Sequence, residues 1–476
     1  MFLSPISRRR AIALAARYAA SAALGAGPLG TRAATQSRQI RDFNVLDYGA
    51  VGDGVALDSP AIQRAIEEAA ASGSAARVLI PGGRKYLVGT IQLKGGVEFH
   101  LADDAELFVS TRLGDFGTAG ALLTAQDAQG LSLTGTGSIN GRSPEFMTRY
   151  DEKDEWWIPA EFRPRLALLT GCRDLVVRDV TFKQAPSWTL HLLGCDRVQV
   201  QSVKINNQMD VPNCDGIDPD HCRNVEISNC HIVCGDDAIV VKTSRRGENY
   251  GGSSNISVRD CVLETQDSGV KIGTETTRDI RGISFERCEI VSSCRGCTIQ
   301  LRDEGKVSDV LFRDITFKAR YHSAPWWGRG EAISFTAMPR RPGAPVGTIS
   351  GVRVENVSGR AENSVRISGC AESRINDVVF DNVDLTLDRW TAYPGGMWDN
   401  RPTTAMPDIE PHNTPGIHVR YADNVSLKRC KIGWGKNRPD YFSHALEAHD
   451  VTGLGYPDFI GEAAHPERDA AVVIRK

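Results

Sequence analysis

A seven-residue unit returns through more than half of the chain and leaves few folds open to it. Residues 174–180 (DLVVRDV) recur as 224–230, 255–261, 282–288, 309–315, 351–357, 377–383 and 424–430. Each unit alternates apolar and polar residues with a period of two, the pattern of a half-buried strand, and its Asn or Asp followed by a small apolar residue marks a corner. One unit cannot bury its apolar face alone, so successive copies must stack. With residues 197–203 included, the second residue of each unit falls at 175, 198, 225, 256, 283, 310, 352, 378 and 425, giving steps of 23, 27, 31, 27, 27, 42, 26 and 47. Most steps are too short for a crossover helix with its loops, which argues against a doubly wound sheet or a (β/α) barrel. The pattern predicts an all-β, right-handed parallel β-helix, with surface loops in the two longest steps.

The repeat runs without a Pro/Gly/Ser linker, so one solenoid domain is expected over 35–476 of the 476 residues. A net charge of −3 gives no electrostatic support for nucleic-acid binding. Beyond the N-terminus no apolar run approaches the roughly 18 residues of a membrane span. Residues 1–34 read as an address: Ser7-Arg8-Arg9-Arg10-Ala11-Ile12 leads into an Ala/Leu-rich stretch that resembles a twin-arginine export signal. Export of the folded chain to a bacterial periplasm or outside the cell is the expectation. The alternative is an ordinary amphipathic helix. Of the twelve cysteines, Cys230, Cys261, Cys288 and Cys430 take the last slot of the repeat, where other copies carry Val or Ile. Cys172, Cys195 and Cys222 each precede a marker residue by three. These seven read as small apolar groups stacked inside the coils. Cys214, Cys234, Cys294, Cys297 and Cys370 lie outside those rows, and a disulfide among them stays open.

Ahead of the first coil, Ala61, Ile62, Ala65, Ile66 and Ala69 follow at helical spacing. Asp58 or Ser59 is expected to accept hydrogen bonds from the free N–H groups at the helix start, with Pro60 in the first turn. Such a helix would plug the N-terminal end of the solenoid. Carboxylates cluster further on, in Asn213-Cys214-Asp215-Gly216-Ile217-Asp218 and Gly235-Asp236-Asp237. The separations 236 − 215 = 21 and 237 − 215 = 22 are about one winding, so the acids can return to one wall and serve acid/base chemistry on a glycosidic bond. Asp218 and Asp220 are read instead as corner residues bonded to backbone N–H groups.

Residues 47–54 (DYGAVGDG) resemble the opening motif of the pectate-lyase-like β-helix superfamily. Residues 135–141 (GTGSING), 185–191 (APSWTLH) and the Asp215 and Asp236-Asp237 segments resemble glycoside hydrolase family 28, the polygalacturonases and rhamnogalacturonan hydrolases, over roughly residues 42–460. The resemblance implies a β-helix enzyme that cleaves pectic polymers with inversion and uses no metal or other cofactor. It casts Asp236 as proton donor and Asp215 and Asp237 as the base pair that holds water, with acid and base about 6.5–9.5 Å apart. Repulsion among the three would raise one pKa and keep a donor protonated. Two departures stand out. Where the family carries Gly-His-Gly, this chain reads Asp267-Ser268-Gly269, and where the family carries Arg-x-Lys it offers Thr298 and Gln300. Uncharged groups cannot pair with a buried uronate carboxylate, so rhamnogalacturonan-type or oligomeric material is favoured over plain polygalacturonate. Lys271 or Arg302 is a candidate for the missing positive charge, against the alternative of a solvated surface cation.

Trp156-Trp157 and Trp326-Trp327, the latter leading to Glu331, fall in inserted stretches. Indole faces commonly floor sugar subsites, although each pair also suits burial of a loop against the solenoid. A loop over the C-terminal half would wall one end of the cleft and make the enzyme exo-acting, or specific for short oligosaccharides, in place of a plain endo-polygalacturonase. Asn213, Lys242, Ser268, Gln300 and His191 complete the substrate-binding candidates, and His322 is a weaker one. The expected partner is a pectic polysaccharide or oligosaccharide, handled by a monomer. Two other classes stay open: a Ca²⁺-dependent lyase that recruits Lys242 or Lys271 as base, and a non-catalytic glycan-binding solenoid.

Overall fold

The computed structural model describes residues 40–118 and 120–475; the export signal expected over 1–34 lies outside them. The eight steps between marker residues each become one in-register pairing of parallel strands: Leu175 with Val198, Val198 with Val225, Val225 with Ile256, Ile256 with Ile283, and on through Val310, Val352 and Val378 to Val425. The 42- and 47-residue steps keep that register because their extra residues leave the coil as loops, at 320–330, 338–348 and 388–416. Each typical winding has three short strands, such as Arg223–Ser228, His231–Cys234 and Ile239–Thr243. Thirty-six strands of the described residues join this way into the β-helix expected from the repeat.

The corners explain the Asn and Asp of the repeat. Asn224, Asn229, Asn255, Asp260, Asp309 and Asp314 all have φ between 54° and 57°, a left-handed conformation that most L-residues avoid and Asn and Asp tolerate. The same side chains bond from winding to winding, with Asn255 Nδ2 donating to Asn224 Oδ1 at 3.2 Å and Asn224 Nδ2 to Asp196 Oδ1 at 2.8 Å. Inside, identical slots stack, as where the Phe285 and Phe312 rings lie 5.2 Å apart and 13° from parallel. Burying each such ring contributes about 1.5–3 kcal/mol. All twelve cysteines are free thiols, eleven of them buried. Cys195 Sγ donates to Leu169 O and Cys222 Sγ to Leu192 O, each at 3.2 Å.

Helix α1 (Ser59–Ala71) buries Ala61, Ile62, Ala65, Ile66 and Ala69 against the first windings and closes that end. Its start differs from expectation. The Asp58 carboxylate accepts from Val51 N at 2.6 Å and Gly52 N at 3.1 Å, and Ser59 Oγ accepts from Gly89 N at 2.7 Å. Both side chains tie neighbouring loops to the helix instead of capping it, because those buried N–H groups have no strand partner.

Candidate active site

The third strand of each winding builds the wall that carries the acids: β1 (Leu190–Leu193), β2 (Ile217–Asp220), β3 (Ile239–Thr243), β4 (Ser268–Thr276), β5 (Arg295–Leu301) and β6 (Glu331–Ala337). Ile217 pairs with Ile239, a step of 239 − 217 = 22 residues. Asp237 therefore follows Asp215 by one winding, with Asp236 beside it. One oxygen from each of the three lies within 4.8 Å of the others. The acids come together because neighbouring strands are only about 4.8 Å apart and the three precede β2 and β3 with little sideways offset.

The acids line a pocket of about 340 Å³ together with Asn213, Lys242, Lys271, Gln300 and Trp327. Their surroundings differ. Both Asp237 oxygens meet Lys271 Nζ, at 3.1 and 2.8 Å, and Asp215 faces Lys242 Nζ at 3.8 Å. Asp236 forms no ion pair among the described residues. It accepts from the Asp237 N–H at 2.8 Å and, at 3.4 Å, from Asn213 Nδ2, whose amide is oriented by Arg163 Nη2 at 2.9 Å. Burial, reinforced by Asp215, pushes the Asp236 carboxyl well above the usual carboxylate range. Burial also raises Asp215 and Asp237, and for Asp237 Lys271 opposes the rise. The three titrate as one cluster, and its proton is best placed on Asp236, which no cation among the described residues contacts directly, although Lys271 opposes its rise from a distance.

Asp218 departs from its expected corner role. It lies on β2, fully buried, 3.1 Å from Lys242 Nζ, and burial pushes it up to about 7. Asp220 does hold backbone, accepting from Ser244 N at 2.8 Å, and also pairs with His191 at 3.2 Å.

Five predicted site residues do not line the pocket. His191 is buried against Asp220 and the edge of Trp188 and is held at about 4 by burial. Ser268 turns inward to donate to Asp267 at 2.9 Å. Arg302 is 1 % exposed, donating to Thr336 Oγ1 at 2.9 Å and Asn400 O at 3.3 Å, so it is neither a surface cation nor a substrate contact. Glu331 accepts from Arg329 N at 2.6 Å beneath Asp399. Trp326 is fully buried, its Nε1 donating to Glu155 O and its ring packed on Trp156, while Trp157 packs on Tyr150. Those three indoles bury loops, and Trp327 alone of the two pairs faces the pocket. His322 packs on Tyr393 away from the acids.

The pocket also takes in Trp188, Asp267, Glu275, Arg295, Arg340 and Arg401, none of them anticipated as site residues. The Trp188 indole supports the Lys242 ammonium at 4.1 Å from its ring centre. Asp267 was within reach of the sequence, one residue before Ser268, itself in register with Arg295. Arg340 and Arg401 come from inserted loops that share no register with the repeat. Both are already neutralised, Arg340 by Asp303 at 2.5 Å and Arg401 by Asp399 at 2.8 Å.

The loops meet across β6. Thr404 N donates to Arg340 O at 2.8 Å, Thr403 Oγ1 to Pro339 O at 2.5 Å, and Arg401 Nη2 to Trp326 O at 2.6 Å. Residues 399–404 thus join the loop before β6 to the loop after it and cover the wall three windings beyond Asp236-Asp237, about 14 Å at the usual strand spacing.

Residues 71–394 match the family model described as "Glycosyl hydrolases family 28". A probable polygalacturonase from Vitis vinifera is 25% identical over 435 residues, covering 82% of this chain and 86% of its own length. Among solved structures, the family 28 exopolygalacturonase of Yersinia enterocolitica superposes with a TM-score of 0.67 at 17% identity, covering 88% of this chain and 79% of that one. A hyperthermoactive exopolygalacturonase from Thermotoga maritima gives 0.59 at 19% identity, with 83% and 93% covered. At these identities the structural likeness establishes the fold.

Proposed function

The chain belongs to glycosyl hydrolases family 28 and is an O-glycoside hydrolase of polygalacturonase-like type; from that premise we propose that it removes residues from the end of pectin-derived oligosaccharides, with Asp236 as proton donor and Asp215 and Asp237 as the pair that holds water. The observation that carries the exo reading is the bridge of residues 399–404 over β6, which supports a pocket instead of a through-groove. Two structural relatives are themselves exopolygalacturonases. A volume of about 340 Å³ is at the small end of ligand pockets, which run from about 300 to 1,000 Å³, as suits a chain end.

The charge pattern supports the roles. A general acid must hold its proton until the leaving oxygen takes it, and Asp236 is the one of the three with no ion pair among the described residues. Asp237 has both oxygens engaged by Lys271, which favours gripping a water over bonding to the anomeric carbon. That supports inversion, the course general to the family. A lyase would need a neutral lysine as base, whereas buried acids hold Lys242 and Lys271 above the usual lysine range.

A second reading of the substrate has its own support. Gln300 lines the pocket with its Oε1 unpartnered, the complement of a sugar hydroxyl, and this favours a neutral residue of a rhamnogalacturonan-type chain at that subsite. Incubation with homogalacturonan, rhamnogalacturonan I and their oligosaccharides, followed by mass analysis, tests both readings. One small product from the first time point is expected; a broad spread of sizes at early times would overturn exo action. The Arg8-Arg9-Arg10 leader supports export to the periplasm or beyond, and fractionation of cells expressing the chain with and without residues 1–34 tests it; equal retention inside the cell would refute it.

A further inference from the structure

Lys271 lines the pocket, yet its ammonium is already engaged by carboxylates of the protein. It stands on β4, paired in register with Val240 on one side and Thr298 on the other, and is 5 % exposed. Its ammonium lies 2.8 Å from one oxygen of Asp237, 3.1 Å from the other, and 3.3 Å from Asp267 Oδ2. An ammonium has three N–H donors, and three oxygens already surround this one. Asp267 is held from behind by Arg295 Nη1 at 2.7 Å and Ser268 Oγ at 2.9 Å, and Arg295 reaches Asp399 at 3.2 Å. Buried charges of alternating sign therefore run from the pocket into the loop that closes it: Asp237, Lys271, Asp267, Arg295, Asp399.

Resting on the hydrolase reading above, we propose that Lys271, held in place by Asp267 and Arg295, is a positioning residue that fixes both oxygens of Asp237 and opposes its protonation, so that the proton of the acid cluster favours Asp236. Every charged neighbour of Asp237 bears on this. Asp215 and Asp218 face it from the preceding winding, Asp236 lies beside it, and Lys242 stands further along β3. Lys271 and Asp267 approach from the following winding, with Arg295 behind. Among the described residues, Lys271 is the one cation in direct contact. Opposite charge at this range lowers a carboxyl pKa by about one to three units; on Asp237, burial and then the like charge of Asp267 act the other way and more strongly, so that it stands at about 8 even with Lys271 in place.

The signs give a test that a merely structural role does not pass. In Lys271→Gln the acid limb of kcat/KM moves to higher pH by about one to three units, so activity near pH 5 falls at least about tenfold while KM stays within about twofold. Asp267→Asn removes a like charge from Asp237 and moves the limb to lower pH. Lys271→Arg retains the cation and keeps the limb near its original place, which also separates the effect from misfolding. An unmoved limb with raised KM in Lys271→Gln would make Lys271 a substrate contact and overturn the proposal. An infrared titration of the carboxylates, assigned by difference against Asp237→Asn, reads the same shift without a substrate. An unshifted Asp237 band in Lys271→Gln overturns the proposal, whereas inactivity on every pectic substrate with a shifted band overturns only the hydrolytic reading.

Discussion

Two faces of the same windings handle charge in opposite ways. On the marker strands Arg197 reaches Asp174 at 2.6 Å and Arg287 reaches Asp260 at 2.8 Å, all of them a third to a half exposed. On the acid wall Lys242, Lys271 and Arg295 meet their carboxylates almost entirely out of water. Exposed pairs are screened by water and salt and add little, so they are interchangeable from one copy to the next. Buried pairs depend on one another, because removing either member strands the other in a medium that does not solvate it. The first face builds the solenoid by repetition, and the second gives up repetition to hold a reactive cluster.

The comparison breaks most sharply at Asp236. Asp236→Asn removes the proposed donor and is expected to lower kcat by about 10²–10⁴-fold, with a thermal midpoint no lower than that of the parent protein because a buried acid has gone. A large fall in the midpoint would show that Asp236 holds the fold instead. Lys242→Met comes next. It leaves Asp218 and Asp215 without their cation and should destabilise by about 3–5 kcal/mol, measured by denaturant unfolding at about pH 8. The loss should shrink near pH 5. Asp218 already sits at about 7 beside Lys242, and a carboxyl raised above its unfolded value binds a proton more tightly in the folded protein. Stability then falls as pH climbs from about 4 through that folded value. By the same sign the parent protein, with Asp215, Asp218, Asp236 and Asp237 all raised, unfolds at a higher temperature near pH 5 than near pH 8; the reverse order would contradict the assigned burial of the cluster.

On the repetitive face the effects are smaller. Asn255→Ala loses a corner residue at φ 55° and its link to Asn224, and should destabilise by about 1 kcal/mol. Arg197→Ala should leave the denaturation midpoint unchanged within error. A loss at Arg197 equal to that at Lys242 would erase the distinction between the faces.

What was legible in the chain follows the same division. The marker residues predict their own pairings because each copy solves one packing problem, alternate apolar side chains in and Asn or Asp at the corner. Asp215, Asp236 and Asp237 were legible because the 22-residue wall step matches their spacing. Elsewhere on the wall the alternation disappears, since strands covered by loops bury both faces, and position no longer tells a pocket group from a structural one. His191, Arg302 and Glu331 are wall residues enclosed by loops and partners. Arg340 and Arg401 reach the pocket from insertions whose course no repeat dictates. Lys271 was legible as a candidate pocket cation, but its pairing with Asp237 and Asp267 was not, because a sequence does not reveal which of several acids an ammonium will face.

The configuration of the first-formed product at the anomeric carbon, followed by proton NMR in the opening minutes of cleavage, tests most directly whether the cation-bound carboxylates grip a water. The account predicts a product of configuration opposite to that of the bond cleaved. A product that keeps the original configuration would mean that Asp215 or Asp237 attacks the sugar itself, and would contradict the roles assigned to all three.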